Sequence, residues 1–356
     1  MANKSIFSRL IKIHAQEKLG IDLVGICQAK KLPEAEKYLK EFLKSGYHGE
    51  MHYLENPALR TDPKQLLPSA ESVIVIGINY YHPQSPTLPS QGKIARYAWG
   101  RDYHKVLKKV LLQLASFLEQ HWPGHQHRLC VDSAPLLEKA FAKEAGLGFY
   151  GKNTTLISPQ LGSYFLLGEI ITSLPLKSDT PVSGSCGTCR RCLDGCPTQA
   201  LLAPGKMDAR RCVSYLTLES KQIIPDNLIP SLQNRLAGCD ICQEVCPYNL
   251  SLAKPLQHSG LKEKAIAGDS IELEKVLTIQ NDQEYLSLFA GSPLMRTKRF
   301  GLIRNALALA QNAIRKDRQK YLPLYQPLIE TIATTDPHPL LRTIAKNTLQ
   351  KIQEFP

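Results

Sequence analysis

The stretch from Cys186 to Pro197 reads CGTCRRCLDGCP, and a second stretch from Cys239 to Pro247 reads CDICQEVCP, with Cys212 between them. Eight of the ten cysteines therefore lie within 61 residues. Two four-iron clusters need eight thiolates, and in two-cluster ferredoxins the fourth cysteine of a run binds the other cluster. The spacing predicts two 4Fe-4S clusters with the following ligands: Cys186, Cys189, Cys192 and Cys246 for cluster I, and Cys196, Cys212, Cys239 and Cys242 for cluster II.

Zinc is the alternative metal, because C-x-x-C pairs also form tetrahedral zinc sites. Zinc needs neither a third cysteine three residues on nor a Cys-Pro at the end of both runs, so the pattern favours clusters. Disulfides are disfavoured, because the sequence shows no apolar signal region and no run of 18 apolar residues, which predicts a cytoplasmic chain with reduced thiols. Cys27 and Cys130 lie in short apolar runs and are expected to be buried core thiols.

The composition is that of a basic globular protein: 356 residues, 43% of them hydrophobic, with a formal net charge of +12. Such a charge favours a polyanionic partner, although many basic proteins bind nothing anionic. Three regions differ in composition, and together they predict an α+β multidomain fold. They are an α/β domain at residues 1–178, a ferredoxin-like domain with both clusters at 179–255, and a helical domain at 256–356.

Helical and strand patterns alternate in the first region, which is typical of a layered α/β domain. Apolar runs predict strands at Leu23–Cys27, Val73–Ile78 and Arg128–Val131. Helices are predicted at Pro33–Lys44, Asp102–His121 and Leu136–Ala145. A further strand pair is predicted at Thr154–Ile157 and Tyr164–Thr172, around a turn.

The third region contains a weak repeat, because PLMRT at residues 293–297 recurs as PLLRT at residues 339–343. A period of 46 residues is within the range of helical HEAT-type repeats, and a helical bundle is the alternative. Between Arg296 and Lys320 there are eight Lys or Arg residues and one acid. Such a run is usually a solvated helix face, but on a helical repeat it is also suited to following phosphates.

Two motifs lie in a context that argues against their usual function. GLGFYG at residues 146–151 matches the dinucleotide motif G-x-G-x-x-G, but that motif must follow a strand and open a helix, and here a helix precedes it. We expect Gly146 to cap that helix instead. Asp102-Tyr103-His104 matches the start of D-x-H-x-x-G, which supplies an axial histidine to a corrin, but Leu107 replaces the glycine. We interpret it as a helix start with exposed polar residues.

Asp132 directly follows a predicted buried strand, at the end where ligand crevices lie in α/β sheets. Aspartate is also a good helix N-cap, and the sequence alone favours capping over catalysis. A carboxyl group held in an apolar pocket would have a raised pKa and would be able to donate a proton near neutral pH.

These segments together closely resemble the epoxyqueuosine reductases. The resemblance is carried by IARYAWGRDYH at residues 94–104, VDSAP at 131–135, GLGFYGKN at 146–153 and the cysteine runs. It extends from about residue 20 to about residue 305. The cysteine runs alone are shared with many ferredoxins, whereas their combination with the upstream segments is specific.

The resemblance implies a cobalamin-dependent oxidoreductase that acts on transfer RNA. It would remove the epoxide oxygen of epoxyqueuosine at the wobble position, giving queuosine and water in the last step of queuosine biosynthesis. The first region would bind cobalamin without a histidine ligand, the clusters would pass electrons to it singly, and Asp132 would protonate the departing oxygen. The implied cobalamin contacts are Arg60, Asp132, Asn153, Ser158 and Ser214. Read without the resemblance, Arg60 is a surface charge, Asn153 a turn residue, Ser158 a strand-end hydroxyl and Ser214 a helix cap.

The same resemblance implies partners. The third region would be a HEAT-like domain that binds the transfer RNA, with Arg296, Lys298 and Arg299 as candidate contacts. Electrons would come from an external one-electron donor, and the enzyme is expected to act as a cytoplasmic monomer away from membranes.

Three other functions are compatible with parts of the sequence. A corrinoid reductase of small molecules, similar to reductive dehalogenases, would leave the basic run unexplained and usually carries an export signal. A nucleic-acid-binding protein with purely structural clusters would differ in its cluster potentials. A plain electron carrier would not need the large first region with its candidate acid, Asp132.

Overall fold

The computed structural model describes residues 2–262 and 266–355. Residues 1, 263–265 and 356 lie outside the described ones, and residues 263–265 and 356 belong to the predicted helical region. In the first region the strands are β1 (Leu23–Gln28), β2 (Ser72–Asn79), β3 (Gln91–Ile94), β4 (His127–Cys130), β5 (Phe149–Tyr150), β6 (Leu156–Ile157) and β7 (Phe165–Thr172). The helices there are α1 (Ala2–Ile13), α2 (Pro33–Lys44), α3 (Pro57–Thr61), α4 (Tyr103–His121) and α5 (Glu138–Glu144).

The main sheet has the strand order β1-β2-β7-β4, and every neighbouring pair is antiparallel. Side chains of β2 alternate between two cores, because successive residues of a strand point to opposite faces. Val73 and Val75 pack towards α5, whereas Ile74, Ile76 and Ile78 pack towards α1 and α4. The layers follow the predicted α/β arrangement, but alternating patterns do not determine strand direction, and the sheet is antiparallel.

Two local expectations have different outcomes. The strand pair predicted at Thr154–Ile157 and Tyr164–Thr172 is wrong, because β6 pairs with β5 and β7 pairs with β2 and β4. Only an isolated bridge joins Ser158 to Gly162. The helix cap is confirmed: α5 ends at Glu144, and Gly146 follows with a φ of +77°, a conformation that glycine adopts readily.

The cysteine region has little regular structure. Its elements are the strands β8 (Leu201–Ala203), β9 (Lys206–Met207) and β10 (Arg235–Ala237), and the helices α6 (Arg191–Asp194), α7 (Val213–Leu218), α8 (Ile241–Glu244) and α9 (Pro247–Leu252). The short helices α6 and α8 each carry the middle part of one cysteine run and pack against each other. The two runs are thereby brought side by side.

The third region is mainly helical. It contains α10 (Ser259–Lys262), the strand β11 (Ser270–Glu272), α11 (Leu273–Leu277), α12 (Asp282–Phe289), α13 (Lys298–Lys316), α14 (Arg318–Thr335) and α15 (Pro339–Gln353). Helix α13 is buried along most of its length and packs against α11, α14 and α15. Within residues 2–262 and 266–355, no helix is both long enough and apolar enough to cross a bilayer.

A small sheet joins all three regions. Strand β3 of the first region lies between β10 of the cysteine region, which is parallel to it, and β11 of the third region, which is antiparallel. Ile94, Leu236 and Ile271, one from each strand, belong to the same buried core as α13. The three regions therefore share one hydrophobic core around this sheet.

Candidate active site and cluster-binding cysteines

The cysteines predicted to bind cluster I line one cavity of about 410 Å³: Cys186, Cys189, Cys192 and Cys246. Burial raises the pKa of the Cys246 thiol, and the nearby thiols of Cys186 and Cys189 raise it further. The last cysteine of the second run is thus beside the first three of the first run. This is the crossed arrangement of two-cluster ferredoxins.

The second set is also brought together. Burial raises the pKa of Cys242, and the thiols of Cys239 and Cys212 add to the effect. Burial likewise raises the pKa of Cys212, with a smaller contribution from Cys196. The thiol of Cys192, from the cluster I set, also raises the pKa of Cys242, so the two sets adjoin. Electrons would have a short path between two clusters placed here.

The spacing of the sulfurs argues against zinc. In a tetrahedral zinc site with bonds of about 2.3 Å, the sulfurs lie about 3.8 Å apart. In the described ranges, the one group of three or more metal-binding side chains with all ligand atoms within 4.8 Å is formed by His48, His52 and Glu55, and no cysteine belongs to it. Among the described residues, no three cysteine sulfurs lie as close together as the ligands of a single zinc ion.

Asp132 lies two residues after the end of β4, in the loop that leads to α5, and is held in a strained conformation. Its φ of +39° is left-handed, which costs a non-glycine residue of order 1–3 kcal/mol. Its Oδ2 accepts hydrogen bonds from the Tyr103 hydroxyl and from Nε2 of His104, both at 2.9 Å. Its backbone N–H donates to Oε1 of Glu138 at 2.5 Å. These three bonds keep the carboxylate in place despite the strain.

His104 lies between two carboxylates at the beginning of α4. Its Nδ1 is 2.7 Å from Oδ1 of Asp102, and its Nε2 is 2.9 Å from Oδ2 of Asp132. Both nitrogens face acceptors, so both must carry a proton, and the imidazole is positively charged. Hydrogen bonds to Asp102 and Asp132 accordingly raise the pKa of His104 to about 9.

The expected raised pKa of Asp132 is not what the structure shows. The hydrogen bond from His104 lowers the pKa of Asp132 more than burial raises it, and the Tyr103 hydroxyl and the Arg296 charge lower it further. An apolar pocket raises the pKa of a carboxyl only when no donor or cation is near. The acidic proton of the site therefore lies on His104, next to an ionised Asp132.

Two further carboxyl groups lie behind Asp132. Burial and the charge of Asp132 raise the pKa of Glu138 to about 7. Glu169 of β7 is fully buried, and its carboxyl group lies against that of Glu138. Burial raises the pKa of Glu169 well above its usual range, with Glu138 adding to the effect. Glu169 is therefore neutral, whereas Glu138 anchors the Asp132 loop.

A stack of one aromatic ring and two guanidinium groups lies near the same carboxylate. The Tyr53 ring centroid is 5.5 Å from Cζ of Arg60 and 5.6 Å from Cζ of Arg296. Arg60 is buried, and its Nε donates to the backbone carbonyl of Tyr53 at 2.9 Å, so it is not a surface charge. Arg296 is half-exposed and forms a bidentate ion pair with Glu219, with both distances 2.6 Å.

The other candidate cofactor residues lie beside the cysteines. Asn153 is buried, lines the cluster I cavity, and donates from Nδ2 to the backbone carbonyl of Cys242 at 3.2 Å. Ser158 is buried at its bridge to Gly162. Ser214 is in the first turn of α7. Its backbone N–H donates to the sulfur of Cys212, and this hydrogen bond lowers the pKa of the Cys212 thiol.

The three basic residues proposed for RNA contact are in different environments. Lys298 is exposed, with a φ of +55°. Arg299 is 5% exposed, and its guanidinium pairs with the equally buried Asp336 and donates to the carbonyl of Ile279 at 3.1 Å. A buried, fully paired guanidinium cannot reach RNA, so Arg299 is corrected to a structural residue of the helical region.

Sequence reasoning missed the residues that hold Asp132, above all His104. Asp102 does cap α4, by accepting from the His104 N–H at 3.0 Å, as a helix start predicts. The histidine side chain, however, is bonded to Asp132, 28 residues away in sequence. One signal in the sequence could have indicated this role: Asp, Tyr and His are consecutive at the start of one helix, and capping needs only the Asp.

Comparison with known proteins identifies the family. A model described as epoxyqueuosine reductase QueG, DUF1730, matches residues 60–133, and a 4Fe-4S double cluster binding domain matches residues 185–249. An epoxyqueuosine reductase of Synechocystis is 45% identical over 280 residues, which covers 78% of this chain and 96% of that protein. An epoxyqueuosine reductase of Pseudomonas aeruginosa is 41% identical over 303 residues, which covers 83% of each chain.

Solved structures give the same result. A crystal structure of an epoxyqueuosine reductase with an epoxyqueuosine-modified tRNA-Tyr stem loop has a TM-score of 0.88 and 30% identity, covering 97% of this chain and 90% of that one. The Bacillus subtilis epoxyqueuosine reductase, solved with its catalytic loop swung out of the active site, has a TM-score of 0.84 and 29% identity, with the same coverage.

Proposed function

Because the chain belongs to the epoxyqueuosine reductase family, we propose that its Asp132–His104 pair supplies the proton with which epoxyqueuosine in transfer RNA is reduced to queuosine. Reduction of an epoxide to an alkene takes up two electrons and two protons and releases the oxygen as water. The observation that carries the proposal is the 2.9 Å contact between the protonated His104 and the carboxylate of Asp132, on the loop between β4 and α5.

The residues fit both metal cofactors. Eight cysteines in two adjoining sets provide the ligands of two 4Fe-4S clusters. Both nitrogens of His104 are bonded to carboxylates, so this imidazole is not free to hold a metal ion. When bound, cobalamin supplies a metal centre that takes up single electrons and reacts with the epoxide carbon. Arg60, Asn153, Ser158 and Ser214 are the residues we propose to hold it.

Residues of the chain itself protonate the departing oxygen and hold the proton donor in position. Asp132 accepts the proton from Nε2 of His104 and passes it to the epoxide oxygen as the first carbon–oxygen bond breaks. The second proton, with which the oxygen leaves as water, reaches it through the same pair once solvent has reprotonated His104. Asp102, bonded to Nδ1, fixes the orientation of the imidazole. Tyr103 holds the other side of the same carboxylate oxygen, and Glu138 holds the loop through the Asp132 N–H.

This assignment predicts a pH dependence. An acid acts only while protonated, so single-turnover reduction should be retained below pH about 9 and lost as the pH rises through the pKa of His104. Exchange of His104 for Asn removes the proton source, so the alkaline limb should move several pH units down and the rate near pH 7.5 should fall about 10–100-fold. Rates between pH 5.5 and 10 measure both effects. An unchanged alkaline limb in the His104→Asn variant would mean that another group carries the proton.

We propose that the third region is a HEAT-like domain that contacts the anticodon stem loop through Lys298 and Arg296. Lys298 is exposed, and the charge of Arg296, from the same region, lowers the pKa of Asp132. Phosphate contacts would hold the RNA while the modified base enters the site.

Combined exchange of Arg296 and Lys298 for Ala should weaken RNA binding about tenfold and reduce the slope of log K against log salt concentration by up to about 2. The control is the exchange of Lys316 and Lys320, which are exposed at the other end of α13 and beyond it. Filter binding at four salt concentrations distinguishes the two variants. Equal effects of the two double exchanges would show that only net charge matters.

The reaction itself is tested by anaerobic reconstitution with iron, sulfide and cobalamin, followed by mass analysis of transfer RNA that contains epoxyqueuosine. Loss of one oxygen mass that depends on cobalamin and on a reductant is the expected result. Unchanged RNA in the presence of intact clusters and bound cobalamin would contradict the proposal. We further propose a cytoplasmic monomer that receives electrons from an external one-electron donor.

A further inference from the structure

A compact turn between α2 and α3 gathers three side chains that are suited to binding a metal ion, outside the cluster sites. His48, His52 and Glu55 place their ligand atoms within 4.8 Å of one another. Oε1 of Glu55 is 3.5 Å from Nε2 of His48 and 2.7 Å from Nδ1 of His52. None of the three takes part in the proton transfer proposed above.

These distances are close to those of a tetrahedral metal site. Nitrogen and carboxylate ligands bind Zn²⁺ at about 2.0–2.1 Å, which places neighbouring ligand atoms about 3.4 Å apart. The two Glu55 distances lie on either side of that value, and the two imidazole nitrogens are within 4.8 Å of each other, so small side-chain movements would complete the site. Two neutral imidazoles and one carboxylate form a common three-ligand set for Zn²⁺, with the fourth position open.

His48 has no other strong partner. Its side chain is 13% exposed, and its Nδ1 is buried without a hydrogen-bond partner in the described ranges of the chain. Its Nε2 is too far from Glu55 for a hydrogen bond of normal length. A metal bond at Nε2 would therefore replace only the 3.5 Å contact with Glu55, which is itself a proposed ligand of the same ion.

Contacts with the cysteine region hold this turn in place. Gly46 and Gly49 adopt φ values of +66° and +59°, and a Cβ on Gly49 would lie 2.3 Å from the Tyr215 hydroxyl. That hydroxyl accepts from the Glu50 N–H at 2.8 Å, and the Glu50 carboxylate accepts from the Lys221 N–H at 2.7 Å. Ligands on a turn fixed by such contacts lose little freedom on binding an ion.

We propose that His48, His52 and Glu55 bind one divalent ion of the Zn²⁺ class, with the fourth position open to solvent. Side chains of His52 and Glu55 are 72% and 53% exposed, so an ion can enter from the surface. The next residue after His52 is Tyr53, whose carbonyl holds Arg60 and whose ring packs between Arg60 and Arg296. A bound ion would stiffen the segment that positions this stack.

The test uses the enzyme with both clusters in place. One to two equivalents of Zn²⁺ are added, unbound ion is removed by gel filtration, and zinc and iron are counted by mass spectrometry. We expect about one zinc per chain with the iron content unchanged. Zinc X-ray absorption should show only nitrogen and oxygen ligands near 2.0 Å, without the sulfur at 2.3 Å that cysteine binding would give.

Two variants and one control make the result specific to this turn. His52→Ala and Glu55→Gln each remove one of three ligands and should weaken zinc binding at least tenfold, as measured by competition with a chromophoric chelator. His127→Ala removes an exposed histidine elsewhere and should leave binding unchanged. Sulfur ligands in the absorption spectrum, less than one tenth of a zinc per chain, or full binding by His52→Ala would each overturn the proposal.

Discussion

Exchange of Asp132 for Asn should lower the rate of epoxide reduction about 10³-fold while both clusters and cofactor binding remain. Asparagine has nearly the same shape and still accepts a hydrogen bond from Tyr103, but it carries no proton from His104 to the substrate. Positioned acids contribute about 10²–10⁴ to a rate, so loss of the carrier should remove most of this factor. The exchange also removes one of the two carboxylates that raise the pKa of His104.

Single-turnover kinetics with excess reduced enzyme measures this effect without interference from electron supply. The matched control is Ser133→Ala, because Ser133 is the neighbouring residue of the same loop and its hydroxyl donates to the backbone carbonyl of Val131. The control should react at nearly the native rate. A native rate in Asp132→Asn, with clusters and RNA binding intact, would mean that water or another residue delivers the proton.

The second large effect concerns stability. Exchange of Arg299 for Ala should lower the free energy of unfolding by about 3–5 kcal/mol, because it leaves the carboxylate of Asp336 buried without its cation. It also removes donors from the carbonyl of Ile279. Denaturant unfolding of the holoenzyme, followed by helix content under anaerobic conditions, measures the loss.

Two further variants separate burial of a lone charge from loss of a basic residue. The combined exchange Arg299→Met and Asp336→Leu removes both charges and should recover most of the stability, because paired apolar replacements of buried ion pairs are often neutral. Arg296→Ala removes a half-exposed arginine and should cost less than about 1 kcal/mol. Equal losses in Arg299→Ala and Arg296→Ala would contradict the structural role given to Arg299.

Local patterns predicted the elements of the fold well, since hydrophobic periodicity is itself local. The helix predicted at Pro33–Lys44 has those bounds in the structure, and the predicted strand Val73–Ile78 lies within β2. Cys27 and Cys130 are buried, as their apolar surroundings indicated. The pairing of the strands was harder to predict, because it joins segments that are far apart in sequence. The antiparallel order β1-β2-β7-β4 has no local signature.

In the candidate site, too, features set by local spacing could be predicted, whereas features set by tertiary contacts could not. Cysteine spacing predicted the cluster ligands, because the chemistry of a cluster requires a particular number and order of thiolates, and a double-cluster domain matches this part of the chain. The charge state of Asp132 depends on His104, and no spacing rule connects residues 28 positions apart. Lys298 and Arg299 are neighbours in one basic run, yet one is exposed and the other buried. Composition gives the charge of a segment, whereas only tertiary packing decides which charges face the solvent.

The three-segment sheet has a consequence for synthesis of the protein. Strand β3 leaves the ribosome roughly 140 residues before β10 and still longer before β11. At about 5–20 residues per second, β3 waits on the order of ten seconds or more for its first partner. During that time its backbone groups are open to pairing with other chains. The wait ends only when the region between the two cysteine runs has folded, so we expect slow iron delivery in the cell to appear first as aggregation of nascent chains, and only later as loss of activity.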